Sequence, residues 1–151
     1  MEFFGMTIIR SLTKSDFVEW REVYHFYAEH YQVSLTEEGL NATWGWLMDA
    51  QNPVNGIVAS SQKKLTGLAH YREMPSPLRG KNIGFLDDIV VRPEERGSRL
   101  ASMLLDELKS IGKQNGWDII RWITRDNNYR ARGLYDKLAT KTDWNMYEMS
   151  L

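Results

Sequence analysis

Apolar residues recur along the 151-residue chain with two periods, one typical of strands and one typical of helices. Alternating or β-branched runs predict six strands, at residues 6–12, 56–61, 64–74, 82–91, 117–124 and 144–151. Apolar spacings of three and four residues predict four helices, at residues 14–31, 34–50, 96–116 and 127–139. Ser15 and Thr36 are the expected N-caps of the first two helices, and Gly116 is the expected end of the third.

The order of these elements predicts a mixed β-sheet. The strand, helix and strand within residues 83–124 imply a right-handed parallel crossover, whereas the hairpin at residues 56–74 pairs antiparallel. The predicted fold class is therefore α/β (α+β), with one mixed central sheet and helices on both faces. A length of 151 residues suits one domain with one core, so residues 1–151 are expected to form a single domain.

Composition narrows the classes of function. Hydrophobic residues make up 42% of the chain and charged residues 26%, and the formal net charge is −1, so neither nucleic acid nor a membrane is an expected partner. The absence of cysteine excludes disulfides and a thiolate nucleophile. His25 and His30 do not share a helix face, so no metal site is expected. Without a signal-peptide pattern or a run of ~18 apolar residues, a cytoplasmic location is the expectation.

A glycine-containing turn joins the fourth predicted strand to the third helix. It lies within residues 91–105, VRPEERGSRLASMLL, where Gly97 follows Arg96 at the start of the helix. The first turn of a helix has unpaired backbone N–H groups and partial positive charge, so it suits a phosphate. Gly97 would let the backbone approach the anion, and Arg96 would add a charged donor. The alternative is an ordinary helix start with Arg96 in solvent.

A second motif opens the fourth predicted helix, NNYRARGLYDKLA. Asn128 and Tyr135 lie seven residues apart, about two helical turns, and therefore share one face. Both motifs follow the C-terminal ends of neighbouring strands, which is the edge where ligands collect in open α/β sheets. The alternative is that Asn128 caps its helix and Tyr135 is a core aromatic.

Together these stretches resemble the GNAT superfamily of acetyl-CoA-dependent N-acetyltransferases. Residues 86–105 are similar to the family's core strand, pyrophosphate turn and helix, and residues 127–139 to its later helix with the Asn and the Tyr. The strand GFLDDIVV is also similar to the Leu-Glu-Asp strand of the branch that acts on diamines and other small amines. The resemblance implies the GNAT fold, with a splay between two parallel strands, and acetyl-CoA as co-substrate without a metal.

The resemblance also implies which residues bind the co-substrate. The pantetheine amides would pair with the backbone of Ile89, Val90 and Val91. Asn128 resembles the asparagine that contacts the pantetheine arm, and Ala131 belongs to the same motif. The pyrophosphate would lie on the turn formed by Arg96, Gly97, Ser98, Arg99, Leu100, Ala101 and Ser102.

Arg99 departs from the family pattern in this turn. Arg96 and Ala101 match the pattern, but Arg99 stands where the family has glycine. Any residue still supplies a backbone N–H, so the departure affects close contact at one position. The arginine side chain would either point away from the phosphates or bind one of them.

The resemblance assigns the reacting groups as well. Tyr135 resembles the general acid that protonates the leaving thiolate, and Asp87 matches the Glu of the small-amine branch as base or amine anchor. Asp87 could equally be a structural carboxylate, and Asp88 would face the opposite side of a regular strand, as a structural group or a ligand for a cation. Tyr27 and Trp44, with Trp46, would wall the acceptor pocket or pack in the core.

The function expected from this resemblance is transfer of an acetyl group to the primary amine of a small molecule, polyamine or amino-acid-like, by direct attack in a ternary complex. A protein N-terminal acetyltransferase and a non-catalytic CoA-binding module are the alternatives. By analogy with the superfamily, the alternating segment WNMYEMSL could pair across a homodimer.

Overall fold

The computed structural model of the protein describes residues 6–151. Within them lie five strands: β1 (Thr7–Ser11), β2 (Val54–Ser61), β3 (Lys64–Ser76), β4 (Lys81–Val91) and β5 (Ile120–Arg121). The α-helices are α1 (Phe17–Tyr31), α2 (Glu37–Leu47), α3 (Leu100–Asn115) and α4 (Tyr129–Leu138). Short 3-10 turns at Lys14–Asp16 and Pro93–Glu95 precede α1 and α3.

The strands form one mixed sheet in the order β1-β2-β3-β4-β5. Neighbours from β1 to β4 pair antiparallel, whereas β4 and β5 pair parallel. Parallel neighbours need a crossover connection, which α3 supplies. The mixed sheet confirms the predicted fold class.

Helices cover both faces of the sheet, each over its own core. On one face, leucines of α3 spaced four residues apart pack with sheet residues, in a cluster that includes Leu104, Leu108, Ile57, Ala69 and Leu86. On the other face, α1 and α2 bury a second cluster that includes Trp20, Val23, Leu40, Leu68 and Val90. Because alternate residues of β2, β3 and β4 face the two cores, these strands read as nearly continuous apolar runs.

Two of the three predicted helix boundaries are confirmed. Thr36 Oγ1 accepts the backbone N–H of Gly39 at 3.0 Å, and Gly116 ends α3 with φ of 75°. Ser15 is not an N-cap, because it lies inside the first 3-10 turn. That turn begins after Thr13, whose backbone N–H donates to Asp16 Oδ2 at 2.8 Å.

A β-bulge interrupts β4 at Asp87. His70 pairs with Asp88 and Tyr71 pairs with Leu86, which leaves Asp87 without a partner across the ladder. An extra residue of this kind reverses the alternation of side chains and re-aims those beside it. The prediction that Asp87 and Asp88 face opposite sides, which assumed a regular strand, is therefore wrong: both carboxylates lie on the side of α1.

The C-terminal segment, residues 140–151, has no regular secondary structure, so the strand predicted at residues 144–151 is wrong. Alternation becomes a strand only through pairing, and the segment has no pairing partner within the described residues. Its large apolar side chains are exposed, including Trp144 at 81% and Tyr147 at 89%. The strand predicted at residues 117–124 is also shorter than expected, since β5 has two residues. No helix in residues 6–151 is long and apolar enough to span a bilayer.

Candidate active site

A cleft opens where β4 and β5 stop pairing. The two strands pair at Gly84 with Ile120 and at Phe85 with Arg121, and the part of β4 that follows has no strand on its β5 side. The cleft is lined by Tyr27, Tyr31, Leu86, Asp87, Ile89, Trp122, Ile123 and Tyr135. Backbone groups of β4 that point towards β5 beyond Phe85 are therefore open to a ligand, as a splayed pair of strands requires.

The bulge places the carboxylate of Asp87 in this cleft. Arg72 Nε donates to Asp87 Oδ2 at 3.1 Å, and the Arg72 guanidinium also lies 5.0 Å from the ring centre of Phe85. Burial raises the pKa of Asp87 above its usual value, and the neighbouring Arg72 offsets part of this rise. Asp87 is thus a carboxylate whose charge is incompletely compensated, and it can accept a proton or bind a cation.

Asp88 has a different environment, although it is the next residue. Its Oδ2 lies 2.8 Å from the Tyr24 hydroxyl and 2.8 Å from His70 Nδ1. Burial alone would raise the pKa of Asp88, but its interactions with His70 and the hydrogen bonds from Tyr24 and Tyr27 outweigh it and lower the pKa below its usual value. Asp88 therefore already has protein partners, and it is not among the residues that line the cleft.

Tyr135 lines the same cleft as Asp87. It projects from α4, and its ring packs edge-to-face on Trp122 with the ring centres 5.4 Å apart. Burial, with the nearby hydroxyl of Tyr31, raises the pKa of Tyr135 to about 12. The phenol is therefore protonated at neutral pH, and within residues 6–151 its hydroxyl makes no hydrogen bond that would compete with a ligand.

Asn128 lies beside the cleft residue Tyr31 and does not cap its own helix. Its Nδ2 donates to the Tyr31 hydroxyl at 3.0 Å and to Thr124 Oγ1 at 2.9 Å, which ties α1 to the segment that follows β5. The side-chain carbonyl accepts no hydrogen bond from the described residues and can accept one from a ligand amide. Ala131 lies between Asn128 and Tyr135 on α4, half-buried and one turn before Tyr135.

The aromatic residues divide between the cleft and the core. Tyr27, which was expected to wall the acceptor pocket, lines the cleft. Trp44 instead packs on Trp20 and Phe17, with ring centres 5.0 Å apart in both pairs. Trp46 is half exposed. Trp44 therefore has packing contacts and no place in the lining of this cleft.

Four residues that line the cleft were not predicted as site residues, namely Tyr31, Leu86, Trp122 and Ile123. Arg72, which pairs with Asp87, was not predicted either. Tyr31 has a signal in the sequence, because it continues the spacing of Tyr27 by four residues on the same face of α1. Arg72 has none, since its approach to Asp87 depends on the bulge.

The turn before α3 carries a row of free backbone donors. The N–H groups of Gly97, Arg99, Ala101 and Ser102 have no acceptor in the described part of the chain. The N–H of Leu100 reaches Ser98 Oγ at a long 3.3 Å. Gly97 has φ of 84°, a left-handed conformation that favours glycine, and a Cβ at this position would meet no atom within 4 Å. Space beside Gly97 is therefore open to a ligand.

Buried contacts hold this turn in place from its N-terminal side. Arg92 is 3% exposed; its Nε donates to the Leu65 carbonyl at 2.5 Å and its Nη1 to Glu22 Oε1 at 2.7 Å. Arg96 and Arg99 are exposed and make no ion pair with the residues described. An anion at the free N–H groups would thus meet two flexible cations and a fixed backbone. Within residues 6–151, no three His, Asp or Glu side chains come together as a metal site.

A sequence model described as the Acetyltransferase (GNAT) family matches residues 20–139. The D-amino-acid N-acetyltransferase of Saccharomyces cerevisiae is 22% identical over 143 residues, which cover 93% of this chain and 89% of that protein. The thialysine N-epsilon-acetyltransferase of Bos taurus is 31% identical over 77 residues, which cover 51% of this chain and 45% of that protein.

Solved structures share the fold. The ribosomal-protein-alanine N-acetyltransferase from Brucella melitensis biovar Abortus 2308 has a TM-score of 0.81 at 22% identity and covers 97% of this chain and 100% of its own. AAC(6')-Iy, solved with the bisubstrate analog CoA-S-monomethyl-acetylneamine, has a TM-score of 0.82 at 16% identity and covers 97% and 99%. At these identities the likeness concerns the fold alone.

Proposed function

Because the chain belongs to the acetyltransferase (GNAT) family and is an acyltransferase, we propose that it uses acetyl-CoA and that its acceptor is the primary amine of a small molecule. The observation that carries this proposal is the meeting of Asp87 and Tyr135 across one cleft. A carboxylate with a raised pKa and a protonated phenol are the acid–base pair that transfer to an amine requires. Direct attack by the amine is the route proposed, since the chain has no cysteine to carry the acyl group.

The turn before α3 fits the diphosphate of CoA. Four free N–H groups, the start of a 16-residue helix and the two exposed arginines Arg96 and Arg99 together suit a multiply charged anion. The open edge of β4 at Ile89, Val90 and Val91 and the side-chain carbonyl of Asn128 suit the amides of the pantetheine arm. Bound there, the co-substrate supplies an acetyl thioester at the cleft.

The amine must lose a proton before it can attack. A lysine-like amine with a pKa of about 10.4 is ~3.4 units too basic at pH 7, which costs roughly 4.6 kcal/mol, whereas an α-amine of pKa about 8 costs about 1.4 kcal/mol. We assign Asp87 to hold the ammonium group and to receive its proton, directly or through water. Tyr135 donates a proton to the leaving sulfur on the opposite side of the cleft.

The names of the relatives favour a small acceptor. One relative is named for D-amino acids and the other for thialysine, and each of these carries a primary amine beside other polar groups. The tyrosine wall of Tyr27 and Tyr31 with Asp87 would hold such a cation by charge and by contact with aromatic faces. The alternative acceptor is a protein N-terminus.

Release of the CoA thiol from acetyl-CoA tests this function. We expect release with at least one class among polyamines, D- and L-amino acids and lysine analogues, at a kcat/KM about tenfold or more above that with short peptides. A preference for peptides would support the N-terminal acetyltransferase. Binding of CoA without release for any amine would contradict the proposal.

We expect the Arg99 side chain to bind a CoA phosphate, since it is exposed beside the free N–H groups and has no described protein partner. Arg99→Gly introduces the residue of the family pattern. Glycine is also a good N-cap, and residue 99 is the N-cap of α3. The substitution should raise the Kd for CoA about fivefold, the loss of about 1 kcal/mol for an exposed charge contact, and less at high salt.

Calorimetry at two salt concentrations measures this change. Arg79→Gly is the matched control, because Arg79 is also exposed but lies in the β3–β4 turn. An unchanged or lower Kd for Arg99→Gly would mean that the side chain is passive.

We further propose that the protein forms a homodimer through its C-terminal segment. Residues 144–151 alternate in polarity and expose Trp144, Tyr147 and Met149. The outer edge of β5 has no strand, and Ile123 beside it is 58% exposed. Pairing of each C-terminal segment with β5 of a second copy would cover the exposed apolar side chains of the segment and the open edge of β5. Such an interface would be self-complementary.

Light scattering during gel filtration tests the dimer. We expect a mass of two chains for the parent, and one chain after Trp144→Ser and Met149→Ser are combined. Leu78→Ser is the control, because Leu78 is equally exposed, at 92%, in a turn distant from this segment. A parent that elutes as a monomer at tens of micromolar concentration would contradict the proposal.

A further inference from the structure

His70 is a buried histidine that lies one residue from the cleft carboxylate in the pairing of β3 with β4. It is 2% exposed, and it pairs with Asp88 across the ladder, next to the bulge at Asp87. Both ring nitrogens are bonded: Trp20 Nε1 lies 2.9 Å from His70 Nε2, and Asp88 Oδ2 lies 2.8 Å from His70 Nδ1. The ring therefore has no free position for a substrate.

These contacts determine the proton on the ring. An indole N–H can only donate a hydrogen bond, so His70 Nε2 must accept it and carries no proton. The one proton of the neutral ring is then on Nδ1 and is donated to Asp88. Trp20 is fully buried and stacks in the α1/α2 core, so its indole cannot turn away without disrupting that core.

The same contacts fix Asp88. Its carboxylate accepts the His70 proton and the Tyr24 hydroxyl, which connects β4 to β3 and to α1. Because Asp88 follows the bulge residue, anchoring its side chain fixes the backbone that turns Asp87 into the cleft. The ring of Tyr24 in turn lies 5.7 Å from that of Tyr27, which lines the cleft.

We propose that His70 is a positioning residue: as a neutral imidazole with its proton on Nδ1, it anchors Asp88 and thereby aims Asp87 at the acceptor amine. His70 does not exchange protons with the substrate, since Nε2 is occupied by Trp20 and Nδ1 by Asp88. The catalytic part of this inference rests on the proposed function, whereas the tautomer does not.

Replacing His70 by asparagine or by glutamine tests its two hydrogen bonds one at a time. The amide nitrogen of asparagine can replace Nδ1 and keep the donor to Asp88, whereas the amide oxygen of glutamine can reach the position of Nε2 and keep the acceptor for Trp20. We expect kcat/KM for the amine to stay within about threefold in His70→Asn and to fall about tenfold or more in His70→Gln.

A merely structural role would give a different pattern. Each variant removes one buried hydrogen bond, so we expect similar losses of melting temperature in both. If kcat/KM falls in proportion to the loss of melting temperature, whether or not the donor to Asp88 is kept, the proposal is overturned. Equal losses of kcat/KM in the two variants would overturn it as well.

Nitrogen-15 NMR of the imidazole tests the tautomer without any catalysis. We expect the His70 signals, assigned by their loss in His70→Asn, to show one protonated nitrogen, Nδ1, at neutral pH. A proton on Nε2 or on both nitrogens would overturn the inference even in an active enzyme. If the predicted tautomer is found but no amine is acetylated, the proposed function fails instead.

Discussion

Replacing Tyr135 by phenylalanine is expected to lower kcat by about 100-fold or more while the Kd for CoA stays unchanged. The substitution removes one hydroxyl and keeps the ring that packs on Trp122. Burial holds the pKa of Tyr135 near 12, so the parent side chain is a proton donor throughout the neutral range. Without it, the departing thiolate loses the proton donor that the cleft provides. Stopped-flow thiol release and calorimetry with CoA measure the two quantities.

The tyrosine at position 129 provides the control for this change. Tyr129 opens the same helix but is 75% exposed and does not line the cleft, so Tyr129→Phe should leave kcat unchanged. The same reasoning predicts that kcat of the parent does not fall through ionisation of Tyr135 until the pH approaches about 12. Tyr135→Phe with unchanged turnover would remove this residue from the acid role.

The parts of the site that sequence could predict depend on local spacing. Asn128 and Tyr135 come together because they share one face of a helix, and the free N–H groups near Gly97 arise because a helix begins there. Neither feature needs a contact with a distant part of the chain. The pattern also predicted the parallel pair of strands connected by a helix, and β4 and β5 do pair parallel.

The parts that sequence could not predict depend on pairing between distant residues. Asp87 and Asp88 are chemically identical neighbours, and only the register of β4 against β3 makes one a cleft residue and the other an anchor. His70 acquires its role from Trp20, fifty residues away. A bulge has no reliable signal in a single sequence, because the extra residue is defined by the partner strand.

Aromatic residues show the same difference. Tyr27 and Trp44 were both predicted to wall the acceptor pocket. Trp44 packs between helices, however, and Tyr31 lines the cleft with Tyr27. A hydrophobic stripe identifies the buried side of a helix but not which of its members meets a cavity. The strand predicted in the C-terminal segment is wrong for a related reason. Alternation is a property of one segment, whereas a strand forms only when two segments pair.

Neutralising Asp87 and Asp88 one at a time is expected to separate catalysis from stability. Asp87→Asn keeps an acceptor for Arg72 but cannot take a proton, so kcat/KM should fall about 100-fold with little change in melting temperature. Asp88→Asn places an NH2 group among the donors Tyr24 and His70 and should cost about 2 kcal/mol of stability. Each variant is the matched control for the other, because the two positions are adjacent and the substitution is the same.

The directions of the two pKa shifts give this prediction its pH dependence. Burial raises the pKa of Asp87, so its ionised form is less favourable in the folded than in the unfolded chain, and removing the charge should not destabilise the fold at pH 7. The pKa of Asp88 is lowered, so its contribution to stability is complete above the unfolded value of about 3.9 and is lost as the pH falls through the folded value. The stability difference between the parent and Asp88→Asn should therefore shrink in acid. The fall of kcat/KM that protonation of Asp87 causes in the parent should lie at a higher pH than for an ordinary aspartate and should be absent in Asp87→Asn. Denaturant unfolding and pH–rate profiles measure both, and a large loss of stability in Asp87→Asn would mean that this carboxylate is structural.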